Sequence, residues 1–326
     1  MMKKTLVALA AVAATGGAFA QSVLTGDFSF GYSSSTSAAS GTANGMGMGD
    51  ADIYWATSED LEGGGKLGVN LALDLSNNTA AYGQAAVVGD ETMSYTSASG
   101  MKVVVGSVKA GDYLSGGIAS AGSGYNQTLD NALFTSRTFK DQITVTLPVG
   151  EGMALSLQHR EAGTGMGAGA ASTGAGTQRD ATIGLKYTVD KLVLDGGYRV
   201  YDGTSSTSTS IATSLNRASA SYDLGVAKIG AGYQTVIYGY GNSMTDTLVG
   251  VTAPVTSALS LGAQIGYRAK SGNSTSSLNT TMTGSIYSAS YTLSKRTSLL
   301  ASFISYDAVA NTTQTTGFAA KLFTTF

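Results

Sequence analysis

The chain has 326 residues, of which 44 are Gly, none is Cys and only 12% are charged, about half the charged share of an average soluble domain. A formal net charge of −2 excludes a basic nucleic-acid-binding face and a charge-rich disordered chain. The lack of Cys excludes a disulfide scaffold and a Cys-based zinc site. Gly, Ser and Thr are poor helix-interior residues, so the composition favours an all-β protein.

The N-terminal segment, Met1–Ala20, has the three parts of a secretory signal peptide. Lys3 and Lys4 form a basic start, Leu6–Ala14 is a short apolar run, and Ala18-Phe19-Ala20 is a cleavage site of the A-x-A type. The apolar run is too short to span a membrane. We therefore predict a cleaved signal peptide at residues 1–20 and one mature domain at residues 21–326.

Alternation of apolar and polar residues then marks long strands. In Lys66–Leu75 every second residue is Leu or Val, and Leu259–Lys270 repeats this period of two. The polar face of these segments is Gly-, Ser- and Thr-rich rather than charged, which is unlike a soluble sandwich. Strands of about ten residues suit a tilted membrane crossing, whereas soluble strands average about five to six.

Sixteen strands are predicted in this way. They cover residues 23–32, 50–58, 66–75, 91–97, 101–108, 138–148, 153–161, 180–188, 192–202, 215–223, 226–238, 244–253, 258–268, 282–292, 298–306 and 316–326. Short turns alternate with longer connections, among them Ser33–Gly49 and Lys109–Arg137. This alternation is typical of a transmembrane antiparallel β-barrel of about 16 strands.

The longest connection, Lys109–Arg137, follows the fifth strand. Its apolar residues would have no reason to occur in an exposed loop, so we expect this third long loop to fold into the lumen. These residues are Leu114, Ile118, Leu129, Leu133 and Phe134.

Two turns and the C-terminus carry a resemblance to a known family. Ser58–Leu61 followed by Gly63–Gly65 resembles a T-E-D-L-G-G-G turn after the second strand, and Tyr291–Thr297 resembles a Y-x-L-S-K-R-T turn near the C-terminus. Phe326 is similar to the terminal aromatic residue that serves this family as an assembly signal. The family is that of the Gram-negative general porins, trimeric sixteen-stranded barrels of the cell outer membrane. Weaker similarity covers Val23–Gly31 and Asp141–Pro148.

The resemblance implies a water-filled pore for passive diffusion of small hydrophilic solutes and ions, surrounded by outer-membrane lipids and assembled as a homotrimer. It also implies a constriction where acidic residues face basic ones. Asp52, Ser107 and Thr144 stand where family members often have Arg, so the sign of ion selectivity stays open. The charged candidates for the constriction and lumen are Asp27, Asp52, Lys109, Asp112, Asp130, Arg137 and Lys140.

Two other functions stay open at this point. One is a secreted all-β surface or adhesive protein without a pore. The other is an outer-membrane barrel enzyme that would depend on His159, the only His in the chain. We expect no enzyme activity and no cofactor, because no Ser stands out as a partner for His159 and one His cannot form a two-His metal site. Gly45–Gly49 lacks the strand–helix context of a dinucleotide-binding site. Asp50 and Asp52 alone would form only a weak binding site for a divalent cation.

Overall fold

The computed structural model describes residues 20–37, 41–75, 87–109, 129, 139–161, 179–202, 211–272, 280–309 and 313–326. This part of the chain contains sixteen strands and a short 3-10 turn, Gly239–Gly241. Within it, no helix is both long and apolar enough to cross a membrane. The strands are β1 (Ala20–Ser37), β2 (Gly41–Asp60), β3 (Lys66–Asp74), β4 (Val87–Thr96), β5 (Lys102–Lys109), β6 (Phe139–Gly150), β7 (Met153–Arg160), β8 (Asp180–Val189), β9 (Leu192–Tyr201), β10 (Ala212–Asp223), β11 (Lys228–Tyr238), β12 (Ser243–Pro254), β13 (Leu259–Ser271), β14 (Thr280–Thr292), β15 (Thr297–Val309) and β16 (Thr313–Thr325).

These strands form one closed antiparallel barrel in which each strand pairs with its neighbours in sequence. β1 and β16 close the ring over the register Asp27↔Thr325 to Ser37↔Thr315. Gly26 and Phe326 extend this seam by exchanging both backbone hydrogen bonds, at 3.2 and 3.0 Å. Closure pairs the backbone donors and acceptors of each strand with a neighbour, which is the condition for crossing lipid with strands. The predicted all-β barrel and its sixteen strands are confirmed.

Tight turns join the strands at one end of the barrel. Asp190 and Lys191 connect β8 to β9, and Glu151 with Gly152 connects β6 to β7. Asp190 and Gly152 have φ values of 47° and 69°, the left-handed conformation that two-residue hairpin turns require. Short turns mark the periplasmic end of outer-membrane barrels, so the end with the longer connections faces outward from the cell.

The first connection differs from the prediction. Ser33–Gly49 was expected to be a long loop, but β1 and β2 continue through most of it and pair as far as Ser37↔Gly41. This expectation was wrong because the small residues of the segment show no alternation of large apolar and polar side chains. Their backbone nevertheless extends the ladder beyond a bulge that lies between Phe28 and Phe30 of β1.

Outward and inward faces alternate along the strands. On β13, Leu261, Ile265 and Tyr267 are 42 to 61% exposed on the outer face, while Gln264 and Arg268 on the inner face are less than 9% exposed. A chain with large apolar side chains on its exposed outer face and polar ones inside is inverted relative to a soluble domain. The period of two therefore separates a lipid-facing surface from a polar lumen.

The inner face is closed on one side of the ring. From β11 to β15 most of the inward-facing residues are buried, and many of them are Gly. Leu129 of the third long connection is fully buried here, in one cluster with Leu248, Met282, Ile286 and Ile304. These four residues lie on the inner faces of β12, β14 and β15. At Leu129 the third connection therefore reaches the inner face of the barrel, as predicted.

Candidate functional site

The inner face of β1–β5 is the open side of the lumen and carries a row of three carboxylates. Asp27, Asp52 and Asp74 are register partners on β1, β2 and β3. Tyr54, also on the inner face of β2, places its hydroxyl 2.9 Å from Asp52 Oδ2 and 3.2 Å from Asp27 Oδ2. The one hydroxyl hydrogen is therefore shared between two acids. We call Asp27, Asp52 and Asp74 the acidic row.

The row places three carboxylates side by side on neighbouring strands. Like charges directly opposite each other in a sheet destabilise it. The Oδ1 atoms of Asp27 and Asp52 are also buried, without a hydrogen-bond partner among the described residues. Neighbouring carboxylates of this kind are typical of the lining of an ion pathway.

One basic residue, Lys321, lies beside the acidic row and forms an ion pair with a fourth acid, Asp50. Lys321 reaches from β16 across Gly31 of β1 to Asp50 of β2, with Nζ 2.6 Å from Asp50 Oδ2. Ser29 Oγ donates a second hydrogen bond to the same oxygen, at 2.8 Å. A Cβ on Gly31 would lie 2.5 Å from Lys321 Cβ, so Gly makes room for this crossing. Asp50 is thereby paired with Lys321.

The bases of β6–β9 form a different kind of group. Asp180 is fully buried and accepts Lys140 Nζ at 3.0 Å, Arg160 Nε at 2.7 Å and Arg160 Nη2 at 2.9 Å. Arg199 Nε lies 3.3 Å from the same carboxylate. All four side chains are at least nine-tenths buried. We call these four residues the Asp180 cluster; its charges are withdrawn from water.

A second closed group lies on β11–β13. Arg268 donates to both oxygens of Asp246, at 2.6 and 3.0 Å, and Gln234 donates to Oδ2 at 2.7 Å. All three side chains are buried. A bidentate Arg–carboxylate pair is geometrically fixed, so this group also serves the wall rather than the open lumen.

The predicted lumen residues have four outcomes. Asp27 and Asp52 lie together in the acidic row, while Lys140 points inward but is buried against Asp180. Lys109 ends β5, where its backbone pairs with Phe139, and its side chain is not described. Asp112, Asp130 and Arg137 lie outside the described residues. Ser107, expected on the inner wall, alternates with inward-facing Gly106 and Val108 and so lies on the outer face.

Sequence reasoning did not single out five residues that lie in or beside the acidic row and in the Asp180 cluster. Strand alternation already placed Arg160 and Arg199 on the polar faces of their strands, and Asp74 on the polar face of β3. The missing information is the register, which decides which inward positions are neighbours across strands. The five residues are Tyr54, Asp74, Arg160, Asp180 and Arg199.

His159 lies on the outer face of β7, away from the lumen. Its Nε2 is 3.2 Å from Glu161 Oε1, and Arg179 Nε is 2.9 Å from Glu161 Oε2. The hydrogen bond with His159, together with the charge of Arg179, lowers the pKa of Glu161 below its ordinary value. Among the described residues, no group of three or more His, Asp or Glu side chains is arranged to hold a metal ion.

Comparison with known proteins bears on the fold and on the family of the chain. The family model for Gram-negative porins matches residues 5–311. The anion-selective porin from Comamonas acidovorans shares 16% identity and superimposes with a TM-score of 0.69, covering 94% of this chain and 100% of that one. The outer membrane channel DcaP of Acinetobacter baumannii gives 11% identity and a TM-score of 0.71, over 95% and 98% of the two chains. A variant of the Rh. blastica porin shares 14% identity and superimposes with a TM-score of 0.64, covering 94% of this chain and 100% of that one.

At these identities the solved structures establish the fold, and the family model establishes the family. A search among curated proteins returned no match. A family of channels favours a non-enzymatic role, and nothing in the fold favours an adhesive protein or a barrel enzyme. The chain belongs to the Gram-negative porin family, and its sixteen-stranded barrel is an outer-membrane channel for passive diffusion of small hydrophilic solutes and ions.

Proposed function

We propose that this channel conducts cations in preference to anions. The observation that carries the proposal is the acidic row, which places three carboxylates side by side on the open inner face of β1–β3. Rings or rows of Asp favour cation passage, because they attract counter-ions where the pore is narrow and the dielectric constant is low. Asp27 and Asp52 act as a pair, held in place by Tyr54.

The basic residues of the barrel wall do not cancel the effect of the acidic row on ion selectivity. Lys140, Arg160 and Arg199 are buried around Asp180, so a permeating ion meets them less than it meets the acidic row. The accessible charge in the path along β1–β3 is therefore negative.

The Comamonas acidovorans relative bears the name of an anion-selective porin. At 16% identity that selectivity does not transfer to this chain. Where the resemblance to general porins places wall arginines, this chain has Asp52 in the second strand. We therefore propose the opposite sign of selectivity for this channel.

Four further parts of the proposal rest on the family and on the sequence. Residues 1–20 are removed on export, leaving the mature chain 21–326. Three copies associate, as in the general porins, and Phe326 serves as the assembly signal. Asp112, Asp130, Lys109 and Arg137 contribute to the constriction from the third long loop and its ends. The protein has no catalytic activity, so replacing His159 by Ala leaves conduction intact.

Recording from the mature chain in a planar bilayer tests the function. We expect stepwise opening in KCl and, in a KCl gradient, a reversal potential of the sign for cation preference. A folded barrel that produces no steps would contradict the channel itself. Steps with a reversal potential of the opposite sign would leave the channel standing and overturn the proposed selectivity.

A further inference from the structure

The periplasmic end of the open lumen side contains a small cavity with a charge opposite to that of the acidic row. Lys66 and Lys102 are the first residues of β3 and β5, and Thr96 at the end of β4 is the register partner of both. Their backbones are thus two strand spacings apart, about 10 Å. Both lysines line one cavity of about 330 Å³, near the lower limit for small-molecule sites.

The rest of the lining suits an oxyanion. Ser58, Asn70, Ser94 and Thr96 contribute hydroxyl and amide groups to the same cavity. Hydroxyl and amide hydrogens complement ammonium groups in binding oxyanions, since both classes donate hydrogen bonds. Among the described residues that line the cavity, none is Asp or Glu.

The two lysines are accessible to a solute. Lys66 Nζ lies 3.9 Å from Asp60 Oδ1, and these side chains are 55 and 83% exposed. An exposed pair at this distance contributes little binding energy, so it does not sequester the ammonium group. Lys102 is exposed as well. Two ammonium groups that share one cavity repel each other, and a multiply charged anion between them removes that repulsion.

We propose that Lys66 and Lys102 form a binding site for phosphate, free or as part of a phosphorylated solute, at the periplasmic mouth of the lumen. A phosphate group carries up to two negative charges near neutral pH and offers three strong acceptor oxygens. The proposal rests on the channel function given above. Along β3 the site is eight residues from Asp74 of the acidic row, roughly 26 Å, so the two charged regions are separate.

Phosphate block of the potassium chloride current tests the site. Inorganic phosphate, added to each side of the bilayer in turn, is expected to lower the single-channel current of the unaltered protein in a saturable way. The concentration for half-maximal block should rise about tenfold in Lys66→Gln and again in the double variant with Lys102→Gln, the scale of one hydrogen bond to a charged group. Lys295→Gln is the matched control, because it removes a lysine from the periplasmic turn between β14 and β15.

The outcomes separate the site from the channel. No block by phosphate, equal block by acetate, or an equal change in Lys295→Gln would overturn the site while the channel stands. Absence of channel steps in plain KCl would contradict the channel. Calorimetric titration of the detergent-solubilised full chain with phosphate then still tests the site: heat lost in the double variant supports it, and heat retained overturns it.

Discussion

Carboxylates are paired differently on the two sides of the barrel lumen. On β6–β9 and β11–β13, each buried carboxylate is enclosed by bases: Asp180 by three, and Asp246 by a bidentate Arg268. On β1–β3, Asp27 and Asp52 are neighbours that share one tyrosine hydroxyl. On the closed side the charges are paired within the wall, and on the open side we propose that the carboxylates act on the permeating solute. Identical residue types therefore have different roles according to their register partners.

The largest expected effect is a difference in the free energy of unfolding between variants of the two sides. Asp180→Asn leaves three buried bases without their shared carboxylate and should lower the free energy of unfolding by about 3–5 kcal/mol. Asp52→Asn removes a like-charge contact and should change it by no more than about 0.5 kcal/mol. Urea unfolding in detergent, followed by circular dichroism, measures both. Equal losses in the two variants would contradict the division into a structural and a permeating side.

The second effect concerns the packing of the closed side. Leu129→Ala leaves a cavity among Leu248, Met282, Ile286 and Ile304 and should cost about 2–5 kcal/mol, as for other buried leucines. It should also make the open-channel current noisier, because the inward-folded connection loses its anchor. Leu261→Ala, on the outer face, is the control and should cost less, since it empties no packed core. An unchanged current and stability in Leu129→Ala would show that this residue does not anchor the third connection.

Sequence reasoning predicted the fold more completely than the site. Alternation in segments such as Lys66–Leu75 indicates which face of the strand each side chain occupies. An apolar outer face and a polar inner face are the features that identify a membrane-spanning barrel. It failed for Ser33–Gly49, where small residues pair without any hydrophobic pattern. The site depends on register, which a single strand does not encode: Asp74 becomes part of the acidic row only because it pairs with Asp52.

The same limit explains Lys140. Its residue type and its place after the longest connection made it a candidate lumen base, and it does point inward. Whether such a base is exposed depends on Asp180, forty residues further along the chain and on the second strand after β6. Long-range pairing of this kind cannot be read from local sequence.

The acidic row is the central claim, and the reversal potential of the double variant Asp27→Asn/Asp52→Asn tests it most directly. In a KCl gradient the unaltered channel should show cation preference, and the double variant should shift clearly towards anions while conductance steps persist. Asp190→Asn is the matched control, because it removes a charge from an exposed turn where Asn also tolerates the left-handed backbone. An unchanged reversal potential in the double variant, or an equal shift in the control, would contradict the role of the acidic row.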